Sequence, residues 1–315
     1  MSGYQLRKFT PADIPQITAL QQAYCTVYPL AVVIPGESYL APGFAGGENI
    51  ICAFSEDGNL KGYAPLFPSL ASEEKIPHII WAEVKVSPEI TLPRPLKDIL
   101  FEWVVNRIRD ITHAFPGHDT RLTFQYNISE TASIEYVKSK GCDYVESIFR
   151  MRCDLSRKLV VPPAPVNIDV HFCQMDNVTE QQAYVTARNE AFPRASMTLA
   201  DWQYFLRTLL GQTGKVVTAY DSQQLVGSVV VYCDEAVNRH FGIAMGNIQY
   251  VFVREGWRRR GIAARMIYQV HNYLKENGFN EAHLEVYALN SKALDLYKKL
   301  GYEVIDESQL FVLKV

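Results

Sequence analysis

The sequence predicts an α/β (α+β) fold in two tandem halves, each a mixed, mostly antiparallel twisted sheet flanked by helices. Three observations carry that prediction. Pro162, Pro163 and Pro165 interrupt the chain near its middle and deny it helix and ladder hydrogen bonds, which favours an extended connector over 156–165. On either side of the connector the elements follow a parallel order, pointing to an internal duplication with domains at 1–155 and 166–315. In the second half helices alternate with strands only towards the end, so its sheet is mixed rather than fully parallel.

In the first half, residues 4–10 read as an opening strand, and Asp13 leads into helix-like sequence. Residues 28–47, punctuated by Pro29, Pro35, Pro42 and several glycines, read as a long irregular loop, uncommon unless functional or mobile. Residues 121–126 form a strand, and 134–140 a short amphipathic helix that stops at Gly141 before a last strand. The second half opens with a strand at 168–173, and Asp176 leads into helices at 179–191 and 199–210. The β-branched runs 215–220 and 225–232, separated by Asp221-Ser222-Gln223-Gln224, form a hairpin. A strand at 247–253 precedes a long helix with Ile262, Met266, Ile267, Val270 and Leu274 on one face. A strand at 282–287, a helix at 291–300 stopped by Gly301, and a closing strand at 302–313 repeat the end of the first half.

Composition narrows the partners. Of 315 residues, 48% are hydrophobic and 21% charged, the balance of a folded chain. With 31 Lys+Arg against 34 Asp+Glu the net charge is −3, so no global positive field exists to hold nucleic acid or an anionic membrane. The first residues lack a signal-like apolar core, and no apolar run is long enough to span a bilayer, so a cytoplasmic protein is expected, monomer or homodimer. The six cysteines are scattered without a C-x-x-C pair or Cys/His cluster, which predicts buried free thiols and neither a disulfide scaffold nor a metal site.

The chemistry concentrates where a strand ends at Val251, Phe252 and Val253 and a helix begins after Arg258, Arg259, Arg260 and Gly261 with Ile262, Ala263 and Ala264. Unpaired N–H groups at a helix start, the positive end of its dipole and a residue without Cβ form a cradle for phosphate oxygens. The arginines add charge and bidentate capacity. A P-loop and a dinucleotide fingerprint both fail, because the turn itself holds Gly261 and no further glycine. From these residues alone a solvated basic helix start remains the alternative.

Val253-x-x-x-x-Arg258-x-x-Gly261-x-Ala263 resembles the Arg/Gln-x-x-Gly-x-Gly/Ala motif of the GCN5-related N-acetyltransferases, the GNAT family. A second signature follows in the right order: the strand His283-Leu284-Glu285-Val286-Tyr287 leads to Asn290-x-x-Ala293-x-x-x-Tyr297-x-x-x-Gly301-Tyr302. The resemblance covers about residues 166–315. It implies that the fourth and fifth strands splay and that acetyl-coenzyme A lies between them as acyl donor. Its pantetheine amides would pair with the backbone of Val251 and Val253, and its pyrophosphate would rest on the N–H groups of Arg259 through Ala264, aided by Arg258. Tyr297 is implied as hydrogen-bond or proton donor to the departing sulfur, and Asn290 as a helix cap that also contacts the cofactor. The reaction implied is transfer of an acetyl group to a primary amine of a small molecule or peptide, without a metal.

Two departures from the family pattern matter. Where many members carry a Glu on the fourth strand to relay a proton from the substrate ammonium, this chain has Asn247, with Gln249 two residues on, and neither amide accepts a proton usefully. Glu285 is the nearest carboxylate in the motif region and shares a strand face with His283 and Tyr287; a structural role is expected for it. Phe192, Trp202 and Tyr204 are available for acceptor contacts, with core packing expected for at least two of them.

The same family architecture over 1–155 would use 79–86 as fourth strand, 96–110 as long helix and 121–126 as fifth strand. Its phosphate loop is degenerate: Pro93, Arg94 and Pro95 fall in the turn, and Val137 stands where Tyr297 does. A non-catalytic first domain is expected, a layout similar to that of mycothiol synthase. A second reading, in which the chain is a non-catalytic acyl-coenzyme A-binding regulatory module, is favoured by Asn247; Tyr297 and the intact arginine-glycine loop favour the enzyme.

Overall fold

The computed structural model describes residues 3–31, 33–71, 75–113, 115, 117–158, 161–193, 195–208, 214–233, 238–239 and 242–315. Leu159 and Val160 of the expected connector, Val32 of the expected loop, and Leu209 and Leu210 of the expected helix end lie outside these residues. The chain forms two compact units: Met1–Glu146 with Ser308–Val315, and Ser147–Glu307.

Unit 1 contains β1 (Tyr4–Lys8), α1 (Ile14–Val27), β2 (Ile50–Ser55), β3 (Leu60–Ser69), β4 (His78–Ala82), β5 (Lys85–Val86), α2 (Arg94–Thr112), β6 (Thr120–Asn127) and α3 (Thr131–Ser139). Its sheet runs β1-β2-β3-β4-β6 and is completed by Ser308 to Lys314 of β13 (Tyr302–Lys314). β4 and β6 are parallel and the other pairs along this path antiparallel. On α2, Leu96, Leu100, Val104 and Ile108 recur every fourth residue and lose all their exposed surface on the sheet.

Two expectations for this unit need correction. The strand expected over 79–86 breaks after Ala82 and resumes as β5, which pairs with β3; between them Glu83 N still donates to Pro65 O of β3 (3.3 Å) and its carboxylate meets Lys85 (3.0 Å). The loop expected over 28–47 carries two 3-10 segments, Gly36–Leu40 and Pro42–Gly47. Tyr39 and Phe44 drive that order, since they bury their rings against Phe9, Tyr63 and Phe67.

Unit 2 contains β8 (Asp169–Cys173), α4 (Val178–Ala191), α5 (Leu199–Thr208), β9 (Lys215–Asp221), β10 (Gln224–Tyr232), β11 (Met245–Val253), α6 (Ile262–Glu276), β12 (Glu281–Tyr287) and α7 (Ser291–Lys299). Its sheet runs β8-β9-β10-β11-β12 and continues into Ile148 to Asp154 of β7 (Asp143–Asp154). Only β11 and β12 are parallel along this path. One face is covered by α4 and α5 around Tyr184, Trp202 and Phe205. The other is covered by α6 and α7, with Ile262, Met266, Ile267, Val270 and Leu274 buried as the periodicity predicts.

The two units share one strand plan, which is the expected duplication, and Gly141 and Gly301 both end their helices at positive φ, 84° and 90°. The compact units do not divide at the proline-rich connector, however. The sixth strand of each sheet comes from the last strand of the opposite half, seven residues of β7 pairing with β12 and seven of β13 with β6.

Candidate active site

In unit 2, β11 and β12 pair in parallel only from Met245↔Glu281 to Ile248↔Leu284, while the strands run on to Val253 and Tyr287. Beyond that rung they diverge, the splay that the resemblance implied. A bulge sets the geometry of one edge. Between the rungs Ser228↔Phe252 and Val230↔Gln249, Val229 alone opposes Tyr250 and Val251, and Tyr250 takes a left-handed φ of 49°. Phe252 pairs with β10, and Arg254 N donates to Val226 O (2.8 Å). Strand alternation therefore turns the amides of Val251 and Val253 away from β10, towards the opening.

The side chains sort the same way. Phe252 is core on the α4–α5 side, in edge contact with Tyr184 and Phe192. Val251, Val253, Trp257 and Ala264 pack against the cluster that holds Tyr297 and Ile262. Of the three strand residues singled out in the sequence, Val251 and Val253 thus edge the opening, and Phe252 anchors the strand from behind.

The loop after β11 makes one 3-10 turn, Glu255–Trp257, and reaches α6 through Arg258, Arg259, Arg260 and Gly261. Trp257 Nε1 donates to Asp221 Oδ2 (2.8 Å), and Arg254 forms an ion pair with Glu190 (2.8 Å), which fixes both ends of the turn. Beside it, Glu190, Ala191 and residues 254–258 line a cavity of about 290 Å³. Arg259 and Gly261 are both left-handed, at φ 65° and 78°. Gly261 serves as N-cap with no side-chain hydrogen bond, whereas Asn177 caps α4 through Glu180 N (2.9 Å) and Asn290 caps α7 through Ala293 N (3.2 Å). The first N–H groups of α6 are thus left to an outside acceptor, and a Cβ built on Gly261 meets no atom within 4 Å.

The arginines divide their duties. Arg258 Nε donates to Val253 O (2.9 Å) and Arg260 Nη2 to Gly256 O (3.2 Å), both bracing the loop on itself. Arg259 has no partner among the described residues, and Arg258, Arg259, Arg260 and Gly261 are all exposed. The pyrophosphate of a coenzyme A fits this cradle: the donors face outward, the space is open and the local charge is positive.

Tyr297 on α7 is almost wholly buried, edge-on to Tyr302 (5.7 Å), and its hydroxyl has no hydrogen-bond partner among the described residues. Burial pushes its pKa up to about 12, so it is a protonated donor at neutral pH. Because that lies above the ~8.5 of an ordinary thiol, a phenol so placed is able to hydrogen-bond a thiolate without giving up its proton outright.

On the α4–α5 face, Trp202 is fully buried and Phe192 half-buried in the aromatic cluster, so both are core. Gln249 Nε2 donates to Tyr232 OH (3.0 Å). Sequence reasoning noted His283 but missed its bond to Glu281, Nε2 to Oε2 at 2.7 Å; the two-residue spacing on a strand was the signal that puts both on one face.

The counterpart opening in unit 1 is filled. β4 and β6 pair only as far as Trp81↔Thr123, and Lys85, Tyr126 and Glu130 are buried just beyond. Glu130 accepts from Tyr24 OH (2.8 Å) and Asn127 N (2.9 Å), while α2 begins at Arg94 with Pro93 as its N-cap. Among the described residues no group of three His, Cys, Asp or Glu side chains could hold a metal ion, and no helix is long and apolar enough to cross a membrane.

Residues 180–302 match the model of the acetyltransferase (GNAT) family. No curated protein matches the chain in sequence. Among solved structures, a GCN5-related N-acetyltransferase from Sphaerobacter thermophilus superposes with a TM-score of 0.71 at 22% identity, covering 100% of this chain and 96% of that one. A tandem GNAT protein from the clavulanic acid biosynthesis pathway gives 0.68 at 12% identity over 99% of this chain and 98% of its own. A putative acetyltransferase from Pyrococcus horikoshii gives 0.62 at 14% identity over 100% and 90%. At these identities the likeness is one of fold, and family and fold together support acyl transfer. Residues 180–302 therefore form a GNAT-family domain, and the whole chain has a fold similar to that of a tandem GNAT protein.

Proposed function

We propose that unit 2 transfers an acetyl group from acetyl-coenzyme A to a primary amine of a small molecule or peptide. The observation that carries the reading is the continuity between the splayed β11–β12 edge and the uncapped, left-handed loop at the start of α6. Acetyl-coenzyme A supplies an activated thioester carbonyl and a thiolate leaving group. The N–H groups of Arg259 through Ala264, with the guanidinium of Arg259, hold its pyrophosphate, and Arg258 keeps the loop closed on Val253. The outward-facing amides of Val251 and Val253 align the pantetheine arm, and a strand N–H at this edge serves the carbonyl oxygen as charge develops on it. Tyr297 donates to the sulfur, and Asn290 holds α7 in place for it. Unit 1, with its opening filled and two prolines at the start of α2, is proposed to be non-catalytic. Six free cysteines fit a reducing compartment such as the cytoplasm.

Isothermal titration of acetyl-coenzyme A into the full chain tests this. One site per chain is expected, followed by transfer to members of a primary-amine panel. Two sites would mean that unit 1 also binds, and no site would overturn the proposal. Asn247 favours the second reading, a non-catalytic acyl-coenzyme A-binding module; binding without transfer to any amine would establish it.

A further inference from the structure

Acyl transfer needs a neutral amine, and Asn247 cannot take the proton of an ammonium. The residue beside it can. Asn247 is in parallel register with His283, so both side chains leave the same face of the sheet, one rung before the β11–β12 ladder ends. His283 Nε2 lies 2.7 Å from Glu281 Oε2, and the other oxygen of that carboxylate is 3.4 Å from Arg152 Nη1 on β7. A carboxylate only accepts, so Nε2 carries the hydrogen and Nδ1 keeps its lone pair.

Nδ1 has no partner among the described residues. The two nitrogens of an imidazole point widely apart, so a ring tied through Nε2 to Glu281 leaves Nδ1 aimed away from that carboxylate. The side chain keeps 9% of its surface, which leaves one edge within reach. The charged and polar groups on this face are Glu281, Glu285 and Tyr287 on β12, Arg150, Arg152 and Asp154 on β7, Asn247 and Gln249 on β11, and Tyr232 on β10. Burial, seconded by the two arginines, outweighs Glu281 and holds the imidazole below its ordinary range, hence neutral at pH 7.

Resting on the acetyltransferase reading above, we propose that His283 is the catalytic base for the acceptor amine and that Glu281 is its positioning residue. Nδ1 takes one proton from the acceptor ammonium. The freed lone pair forms the N–C bond as the C–S bond breaks, with the electron pair going to sulfur. The second nitrogen proton ends on that sulfur, and the imidazolium, held by Glu281, returns its proton to solvent.

Imidazole NMR on the full chain without ligand gives the first test, with the His283 signal identified by its loss in His283→Gln. An Nε2–H tautomer that titrates below the ordinary range is expected, and Glu281→Ala should scramble it. An Nδ1–H tautomer, or an imidazolium at pH 7, would overturn the proposal. In transfer assays with acetyl-coenzyme A and the amine panel, His283→Gln should lower kcat by about a hundredfold or more and remove the acid limb of the pH profile, with calorimetric affinity for acetyl-coenzyme A unchanged. Glu281→Ala should move that limb and lower kcat less. Wild-type binding and turnover with an unaltered His283→Gln profile overturns this proposal alone; absence of acetyl-coenzyme A binding by the wild type overturns the acetyltransferase reading and this proposal with it.

Discussion

Gly261→Glu separates a phosphate cradle from a solvated helix start. The residue sits at φ 78°, and nothing lies within 4 Å of where its Cβ would be, so the substitution meets no steric barrier. Its cost to the fold is the left-handed strain of an L-residue, about 1–2 kcal/mol, against a typical total stability of about 5–15 kcal/mol. Its cost to binding is electrostatic. A carboxylate about 4 Å from one phosphate charge, at an effective dielectric of about 20, is repelled by about 4 kcal/mol, roughly a thousandfold in Kd. Gly261→Ala carries the same backbone strain without the charge and isolates that contribution. Titration calorimetry with acetyl-coenzyme A at fixed ionic strength, with thermal unfolding of each variant alongside, reads both quantities. The expected result is two folded variants, with the Glu form far weaker in binding than the Ala form. A folded Gly261→Glu protein that binds as the wild type does would refute the cradle, and equal losses in the two variants would refute the charge argument.

Tyr297→Phe should reduce kcat while leaving acetyl-coenzyme A affinity within about twofold, since the hydroxyl is needed only as charge leaves on sulfur; an unchanged kcat would make the ring a packing element against Tyr302 and nothing more. His271 predicts a pH dependence of stability. Its Nε2 lies 2.7 Å from Tyr302 OH, and burial lowers its pKa to about 4. Between about pH 6.5 and 4 the unfolded chain binds a proton that the folded one does not, so stability is full above that window and falls as pH drops through it. A shift from about 6.5 to about 4 corresponds to about 3 kcal/mol at most. Urea unfolding from pH 7 to 4.5 should show a shallower slope for His271→Gln than for the wild type, and identical slopes would refute the assignment.

Much of the protein was legible locally. The stripe of Ile262, Met266, Ile267, Val270 and Leu274 is a statement of helical period, and burial follows from it. Gly141 and Gly301 announced left-handed helix ends, and the Arg258-to-Ala264 loop announced an uncapped helix start, because conformational demands of that kind fall on single residues. Asn290 declared its cap in the same way. The expected loop over 28–47 failed because its glycines and prolines were read without Tyr39 and Phe44, whose burial depends on rings far away in sequence.

Only the tertiary structure decided which face each residue of β11 presents. The bulge at Tyr250 shifts the alternation, sends Phe252 into the α4–α5 core and turns Val251 and Val253 to the opening. It likewise decided that β7 and β13 complete the sheets of opposite halves, and that His283 stands beside Asn247 with Glu281 on its far nitrogen. The physical reason is the same in each case. Propensity, capping and period act within a few residues and are written in the sequence, whereas register and strand exchange are set by pairing between segments up to about 190 residues apart, where many alignments share one local pattern.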